Sequence, residues 1–214
     1  DYSTKETIAS AFVDSCRFDE VIHNAGVKSS VDPMDYYRSN AKLTGNLCEV
    51  LLENNLVKGR FIYISSLAAV GPGDNTPNDN ITEESDQKPL SHYGLSKLLA
   101  EMLVQHSGLD YVIFRPTTVY GEGTEDFNLL LKMVKKGIAI HLTSPSQNLS
   151  FIHAEDLAKS IFLAVNKKCL NEIYNITDGR DYTLDSFYSI LEKALGIQTK
   201  IKYRVPFSFL LGLI

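Results

Sequence analysis

The stretch "SHYGLSKLLAE", residues 91 to 101, places Tyr93 and Lys97 four positions apart. On an α-helix, residues at that spacing lie on one face, so a phenol and an ammonium can meet there. A free tyrosine has a pKa near ~10 and is a poor acid or base at neutral pH, but a neighbouring cation favours the phenolate and draws the value down. Such a pair could move a proton to or from a carbonyl or alcohol oxygen. The same letters also fit a plain amphipathic helix with a packed tyrosine and a solvated lysine. The elements around the pair decide between the two.

Those elements alternate. "FDEVIHNAG" reads as a short apolar strand ending in a turn. "MDYYRSNAKLTGNLCEVLLENN" has helical spacing through Tyr37, Leu43, Leu47, Val50 and Leu51, which predicts one helix over 34–55. "GRFIYISS" predicts a strand, and the loop after it, "GPGDNTPNDNITEESDQKP", has the length that usually marks a functional segment. The helix of Tyr93 and Lys97 covers 90–106 and the strand "LDYVIFRP" follows. Then come a turn and helix in "VYGEGTEDFNLLLKMVKKG", a helix in "AEDLAKSIFLAVNK", a strand in "NEIYNIT", and a helix in "TLDSFYSILEKALG" capped by Thr183 and stopped by Gly196.

Near-continuous apolar strands separated by helices predict an α/β fold, a doubly wound parallel sheet covered on both faces. Ligands of such sheets sit beyond the carboxyl ends of the strands. Here those ends carry Asn24-Ala25-Gly26, Ser65-Ser66 and Arg115-Pro116-Thr117-Thr118. Ser66 is thereby brought to the same edge as Tyr93 and Lys97.

The 214 residues suit one domain, or one large domain with a small appendage, and the 44% hydrophobic content can bury a core. A net charge of −5 without a basic run argues against a nucleic-acid surface. The longest apolar stretch, "VPFSFLLGLI", is too short to span a bilayer, so no membrane partner is expected. No secretory signal is visible in "DYSTKETIAS", which makes the cytoplasm the default expectation. Cys16, Cys48 and Cys169 lack CxxC spacing and read as buried structural thiols. The histidines show neither HxxxH nor HExxH, so no metal site is expected.

Taken in order, "VIHNAG", "YISSLAAVG", "YGLSK" and "FRPTTVYG" resemble the extended short-chain dehydrogenase/reductase family, the group containing NAD-dependent epimerases and dehydratases. The resemblance runs from about Asp1 to Thr177. It implies NAD or NADP as cofactor, with Tyr93 as catalytic acid/base and Lys97 lowering its pKa while hydrogen-bonding the nicotinamide ribose. Ser66 would donate to the substrate oxygen, and Ser65 would turn toward the backbone on the cofactor side. His23, Asn24, Ala25 and Gly26 would line the pyrophosphate and ribose, with the small residues letting backbone approach the cofactor. Asn40, Pro116 and Asp1 would also serve the cofactor, Pro116 by opening the loop that holds the carboxamide and Asp1 by binding the adenine amino group. Lys28, Thr117 and Thr118 would face the substrate. His153 and Asp156 in "FIHAEDLA" resemble a second family landmark, where the chain returns to the domain. In the family, helices corresponding to 34–55 and 90–106 pair between subunits, so a homodimer is expected.

The sequence also departs from the pattern. The phosphate-binding glycine loop GxxGxxG is missing, and "GEGTED" at Gly121 follows the wrong strand to replace it. The expectation is therefore a Rossmann-like sheet without its first strands. Residues 1–120 would form a partial dinucleotide-binding domain with the catalytic residues, and 121–214 a mixed segment that returns to the core and builds part of a substrate-binding lobe. In the order 3-2-1-4-5-6, "EVIHNAG" corresponds to the fourth strand and should pair with a first strand that the sequence does not contain. A longer protein with on the order of 50 to 60 further upstream residues is expected, and the chain alone should bind NAD(P) weakly or not at all.

Ser66 is followed by Leu67-Ala68-Ala69 rather than the Asp-Glu pair of sugar dehydratases, which disfavours dehydration. The small-molecule substrate is left between a nucleotide sugar and a small carbonyl or alcohol. An NAD(P)-dependent oxidoreductase that interconverts a carbonyl and a secondary alcohol leads. A nucleotide-sugar epimerase that retains its NAD and a noncatalytic nucleotide-binding protein of the same fold are the alternatives.

Overall fold

Residues 4–12, 17–73, 80–143, 148–167 and 169–206 are described by a computed structural model. In chain order they form α1 (Lys5–Ser10), β1 (Val21–His23), α2 (Pro33–Tyr36), a π-helical turn (Tyr37–Lys42), α3 (Leu43–Glu53) and β2 (Phe61–Ile64). A 3₁₀ turn (Leu67–Ala69), α4 (His92–Gln105), β3 (Tyr111–Pro116), β4 (Thr118–Tyr120) and α5 (Glu125–Lys135) follow. The chain continues through β5 (Ile138–Thr143), β6 (Phe151–His153), α6 (Ala154–Asn166), β7 (Glu172–Ile176), α7 (Leu184–Leu195) and β8 (Ile201–Pro206). It divides into two compact units, Asp1–Thr117 with Leu157–Ile176 and Thr118–Asp156 with Thr177–Ile214.

The first unit is built on a parallel sheet in the order β1-β2-β3-β7. Its register pairs Val21 with Phe61, Ile62 with Val112 and Ile113 with Ile173. Side chains of a strand alternate between faces, and β2 is buried on both. Phe61 and Tyr63 pack with Cys48, Val50 and Leu51 of α3 and Ala100 and Val104 of α4, whereas Ile62 and Ile64 pack with Ala164 of α6. This is the doubly wound arrangement expected from the apolar strands. Burial drives the Cys48 thiol pKa up to about 12, so it behaves as an inert core residue.

The helix expected over 34–55 is not one α-helix. Asp32 caps its start by accepting from Met34 N at 2.9 Å, with Pro33 in the first turn, but the middle turn is π-helical. A π turn carries an extra residue per hydrogen-bonded ring, and here that turn buries Asn40 and Ala41. Side-chain periodicity is too coarse to register such a bulge.

The second unit pairs β4 with β6 and β5 with β8, both parallel. Its core joins Val134, Ala139, Phe151, Phe187, Tyr188 and Leu191, with the Phe151 and Phe187 rings stacked at 4.7 Å. The ends predicted for α7 hold: Thr183 accepts from Ser186 N at 3.2 Å, and Gly196 closes the helix at φ 67°, a left-handed conformation that suits glycine. No helix among the described residues is long and apolar enough to cross a membrane.

In the first unit, the buried Arg60 fastens the end of α6 to the start of β2. Its guanidinium donates to the carbonyls of Val165, Lys167 and Cys169 at 3.1, 2.7 and 2.9 Å and pairs with Glu20 at 2.7 Å. Arg60→Met removes the guanidinium from those carbonyls and from the Glu20 carboxylate and is expected to cost about 3–5 kcal/mol in urea unfolding. Lys5→Met removes exposed pairs to Glu49 and Glu53 and should leave the urea midpoint almost unchanged, because solvent screens such pairs.

Candidate active site

Ser66 lies just past the end of β2, where its Oγ accepts from Ala68 N at 3.2 Å and starts the 3₁₀ turn. Helix α4 begins under the Ser91 cap, which accepts from Gly94 N at 3.0 Å. The two segments touch at Gly94, where a β-carbon would stand 2.3 Å from the Ala68 carbonyl oxygen. Only glycine permits that approach, and it sets Tyr93 against the Ser66 turn. There the Ser66 hydroxyl acts on the Tyr93 phenol and favours its charged form.

Lys97, one turn further, is 6% exposed. Its Nζ donates to the Ile64 carbonyl at 2.7 Å and sits 4.6 Å over the Tyr63 ring. Burial pulls its pKa down to about 8, and the charge of Glu101 works against that fall.

The expected electrostatics of the tyrosine need correction. Burial pushes the Tyr93 phenol above its ordinary pKa, and the groups opposing burial are the Ser66 hydroxyl and the charge of Lys28. Lys97 instead spends its hydrogen bond on the sheet. In this state desolvation outweighs the cations, and the phenol keeps its proton at neutral pH. Lys28, expected at the substrate, is thus the cation that acts on Tyr93.

Asn24, Ala25 and Gly26 are exposed past the end of β1. A β-carbon at Gly26 would meet Asn40 Oδ1 at 2.7 Å and Lys97 Nζ at 3.9 Å, so this loop runs beside the lysine. Asn40 is the reason it does. Its Oδ1 accepts from Val27 N at 2.7 Å, and its Nδ2 donates to Val27 O at 3.0 Å and Ser96 Oγ at 2.9 Å. Asn40 was expected to serve the cofactor, but its amide is occupied in holding the loop to α4.

Ser65 is corrected too. It turns neither to the backbone nor to the open edge, because its Oγ donates to the buried Glu101 carboxylate at 2.5 Å. His23 is buried, its Nε2 lies 2.9 Å from Thr44 Oγ1, and its ring stacks on Tyr63. The Thr44 hydroxyl proton goes to the Asn40 carbonyl, so Nε2 is the donor and the imidazole is the neutral Nε2–H form. Pro116 is buried at the end of β3, and the Thr117 hydroxyl donates to Ile176 O at 3.2 Å. Thr118 is exposed at the start of β4 in the second unit. His153 accepts from Glu155 N at 3.3 Å through Nδ1. Asp1 and Cys16 lie outside the described residues.

Sequence reasoning missed Tyr36 and Glu101. The Tyr36 ring meets Tyr93 edge-on at 6.2 Å, and its hydroxyl accepts from Ser30 N at 3.0 Å, which ties loop 27–32 to the site. The signal for Glu101 was a lone carboxylate among apolar residues, one turn after Lys97 on the same helical face.

The sequence pattern of the NAD dependent epimerase/dehydratase family matches residues 1–177. The chain belongs to this family. It is 34% identical over 176 residues to a UDP-glucose 4-epimerase of Vibrio cholerae, covering 78% of this chain and 53% of that protein. Its fold is similar to that of the UDP-glucuronic acid 4-epimerase from Bacillus cereus in complex with NAD, with TM-score 0.79 and 24% identity over 93% of this chain and 65% of that one. The UDP-glucose 4-epimerase of Thermus thermophilus in complex with NAD is similar to the same degree, with TM-score 0.79 and 22% identity over 96% and 70% of the two chains. The chain spans about half the length of the curated relatives it matches. For an NAD-dependent family, the donor set at the sheet edge fits the ribose and nicotinamide half of the cofactor. It offers a cation at Lys97, hydroxyls at Tyr93 and Ser66, and exposed small-residue backbone at Asn24–Gly26.

Gly94→Ala is expected to lower unfolding stability by about 1–3 kcal/mol, since α4 must move off the Ala68 carbonyl. His23 gives a pH signature: burial and the Lys97 charge hold its pKa at about 4, below the ordinary 6.5. The unfolded chain therefore binds the extra proton between those values, and the contribution is complete above 6.5 and lost as pH falls toward 4. Between pH 7 and 5 the loss from this group should be on the order of 1–2 kcal/mol. His23→Gln should remove that part of the slope in denaturation series.

Proposed function

We propose that the protein is an NAD-dependent nucleotide-sugar epimerase or oxidoreductase, in which Tyr93, Ser66 and Lys97 interconvert a secondary alcohol and a ketone of the sugar. The observation that carries this reading is the close approach at Gly94 that sets Tyr93 against the Ser66 turn, with the Lys97 ammonium one turn away beside the exposed Asn24–Gly26 segment. The nucleotide-sugar class is supported by the likeness to the Vibrio cholerae UDP-glucose 4-epimerase and the Bacillus cereus UDP-glucuronic acid 4-epimerase. The cofactor would supply the hydride acceptor and donor, and the positive charge of its oxidised ring would favour the phenolate. Tyr93 takes the hydroxyl proton as the carbinol is oxidised and returns it to the same oxygen on reduction. Ser66 donates a hydrogen bond to that oxygen and fixes its position. The protonated phenol found here is the form ready to protonate a carbonyl. Lys28, Thr117 and Thr118 are assigned to the substrate. His23–Gly26, Pro116 and Asp1 are assigned to the cofactor.

A homodimer through α3 and α4 belongs to the same proposal, supported by Leu52, Leu99, Met102 and Leu103, apolar side chains of these helices that are 37 to 48% exposed. Monomeric mass by light scattering at micromolar concentration would contradict it.

The enzymatic test uses the whole protein with NAD and UDP-sugars. Tyr93→Phe should lower kcat by about 10²- to 10⁴-fold with little change in melting temperature. Ser66→Ala should also slow turnover, whereas Ser65→Ala should act mainly on stability. Conversion of the sugar without net absorbance change at 340 nm identifies an epimerase, and stoichiometric NADH change an oxidoreductase. Unchanged turnover in Tyr93→Phe would refute the assignment.

A further inference from the structure

The proposed chemistry leaves one buried charge without a role. Glu101 is 1% exposed and follows Lys97 by one turn on α4, so Tyr93, Lys97 and Glu101 share a helical face. Its carboxylate accepts Arg115 Nη2 at 2.7 Å, Arg115 Nε at 3.0 and 3.1 Å, and Ser65 Oγ at 2.5 Å. Arg115 is fully buried, and its Nη1 reaches the Glu83 carbonyl at 3.4 Å. Glu83 in turn accepts from Asn175 N at 2.8 Å through its carboxylate. Every partner is the chain neighbour of a site group: Ser65 precedes Ser66 and follows the Ile64 carbonyl that holds Lys97, and Arg115 precedes Pro116.

Stability alone does not account for such a pair, because apolar residues of similar volume generally replace a buried ion pair without loss. The two charges also reach Lys97 differently. The carboxylate lies along the lysine's own helix, while the guanidinium enters from β3. We propose that Glu101 is a positioning residue of the site: paired with Arg115, it fixes the end of β2 through Ser65 and sets a carboxylate one helical turn from Lys97, where it acts on that ammonium. This rests on the reading of Tyr93, Ser66 and Lys97 given above. Tyr63 and the Ile64 carbonyl of β2 face Lys97, neutral His23 of β1 and Glu101 of α4 interact with its charge, and Tyr93 shares its helical face. Arg115 from β3 reaches it only through Glu101, and Asn40 from the π turn is uncharged. Among these groups Glu101 is the only anion, and it opposes the effect of burial on Lys97.

The test reads Lys97 itself. Protein labelled with ¹³C and ¹⁵N at lysine side chains is titrated by NMR, the Lys97 signal being assigned by its loss in Lys97→Met. Wild type is compared with Glu101→Gln and with the double variant Glu101→Met/Arg115→Met, which removes both charges and keeps the volume. Lys97 should titrate about one pH unit or more lower in both variants, with the melting temperature of the double variant close to wild type. The alkaline limb of turnover should move to lower pH with it. A folded double variant whose Lys97 titrates as in wild type overturns the proposal, as does a Glu101→Gln variant that loses stability without moving that titration. The titration needs neither substrate nor turnover, so its outcome is separate from that of Tyr93→Phe.

Discussion

Helix α4 approaches the turn after β2 so closely that residue 94 has no space for a side chain, and the arrangement of the site follows from that contact. With the helix in place, Tyr93 reaches the Ser66 hydroxyl and Lys97 reaches the last carbonyl of β2. Ser96, fully buried on the same helix, donates to the Tyr93 carbonyl at 2.7 Å and accepts from Asn40 at 2.9 Å. One helix thus sets the positions of the strand end, of the loop after β1 and of the phenol. Packed interiors leave little room for adjustment, so a displacement at the glycine is felt at all three.

Burial governs the electrostatics as strongly as the geometry. The same dry surroundings raise the phenol, lower the lysine and keep His23 neutral. Desolvation always disfavours the charged form, so its sign differs between an acid and a base. A tyrosine and a lysine treated this way are driven apart on the pH scale, each toward its uncharged form. The opposing charges, Lys28 on Tyr93 and Glu101 on Lys97, limit how far that separation goes.

The π turn makes a related contribution. A regular helix through residues 37–42 would carry the amide of Asn40 around the axis, away from Val27. The extra residue in the turn buries that amide, where it satisfies both backbone groups of Val27. The loop after β1 is therefore fixed by a side chain from a different element, and Gly26 must lack a β-carbon for the two to meet.

The fold class was legible because apolar strands and amphipathic helices differ in period, and the period survives whatever the chain packs against. The caps of α7 were legible for the same reason, since Thr183 and Gly196 act within one turn of chain. Tyr93 and Lys97 could be placed on one helical face from spacing alone, and Ser66 could be brought to them by the rule for strand ends. What the sequence left open depends on contacts between distant segments. Which serine faces outward was decided by Glu101, 36 positions from Ser65. The charge state of Tyr93 was decided by how much water the sheet edge excludes, and the role of Asn40 by a π turn that no side-chain pattern encodes. Local hydrogen bonds and periodicity are properties of neighbouring residues and can be read in order. Burial and long-range partners exist only once the chain has packed.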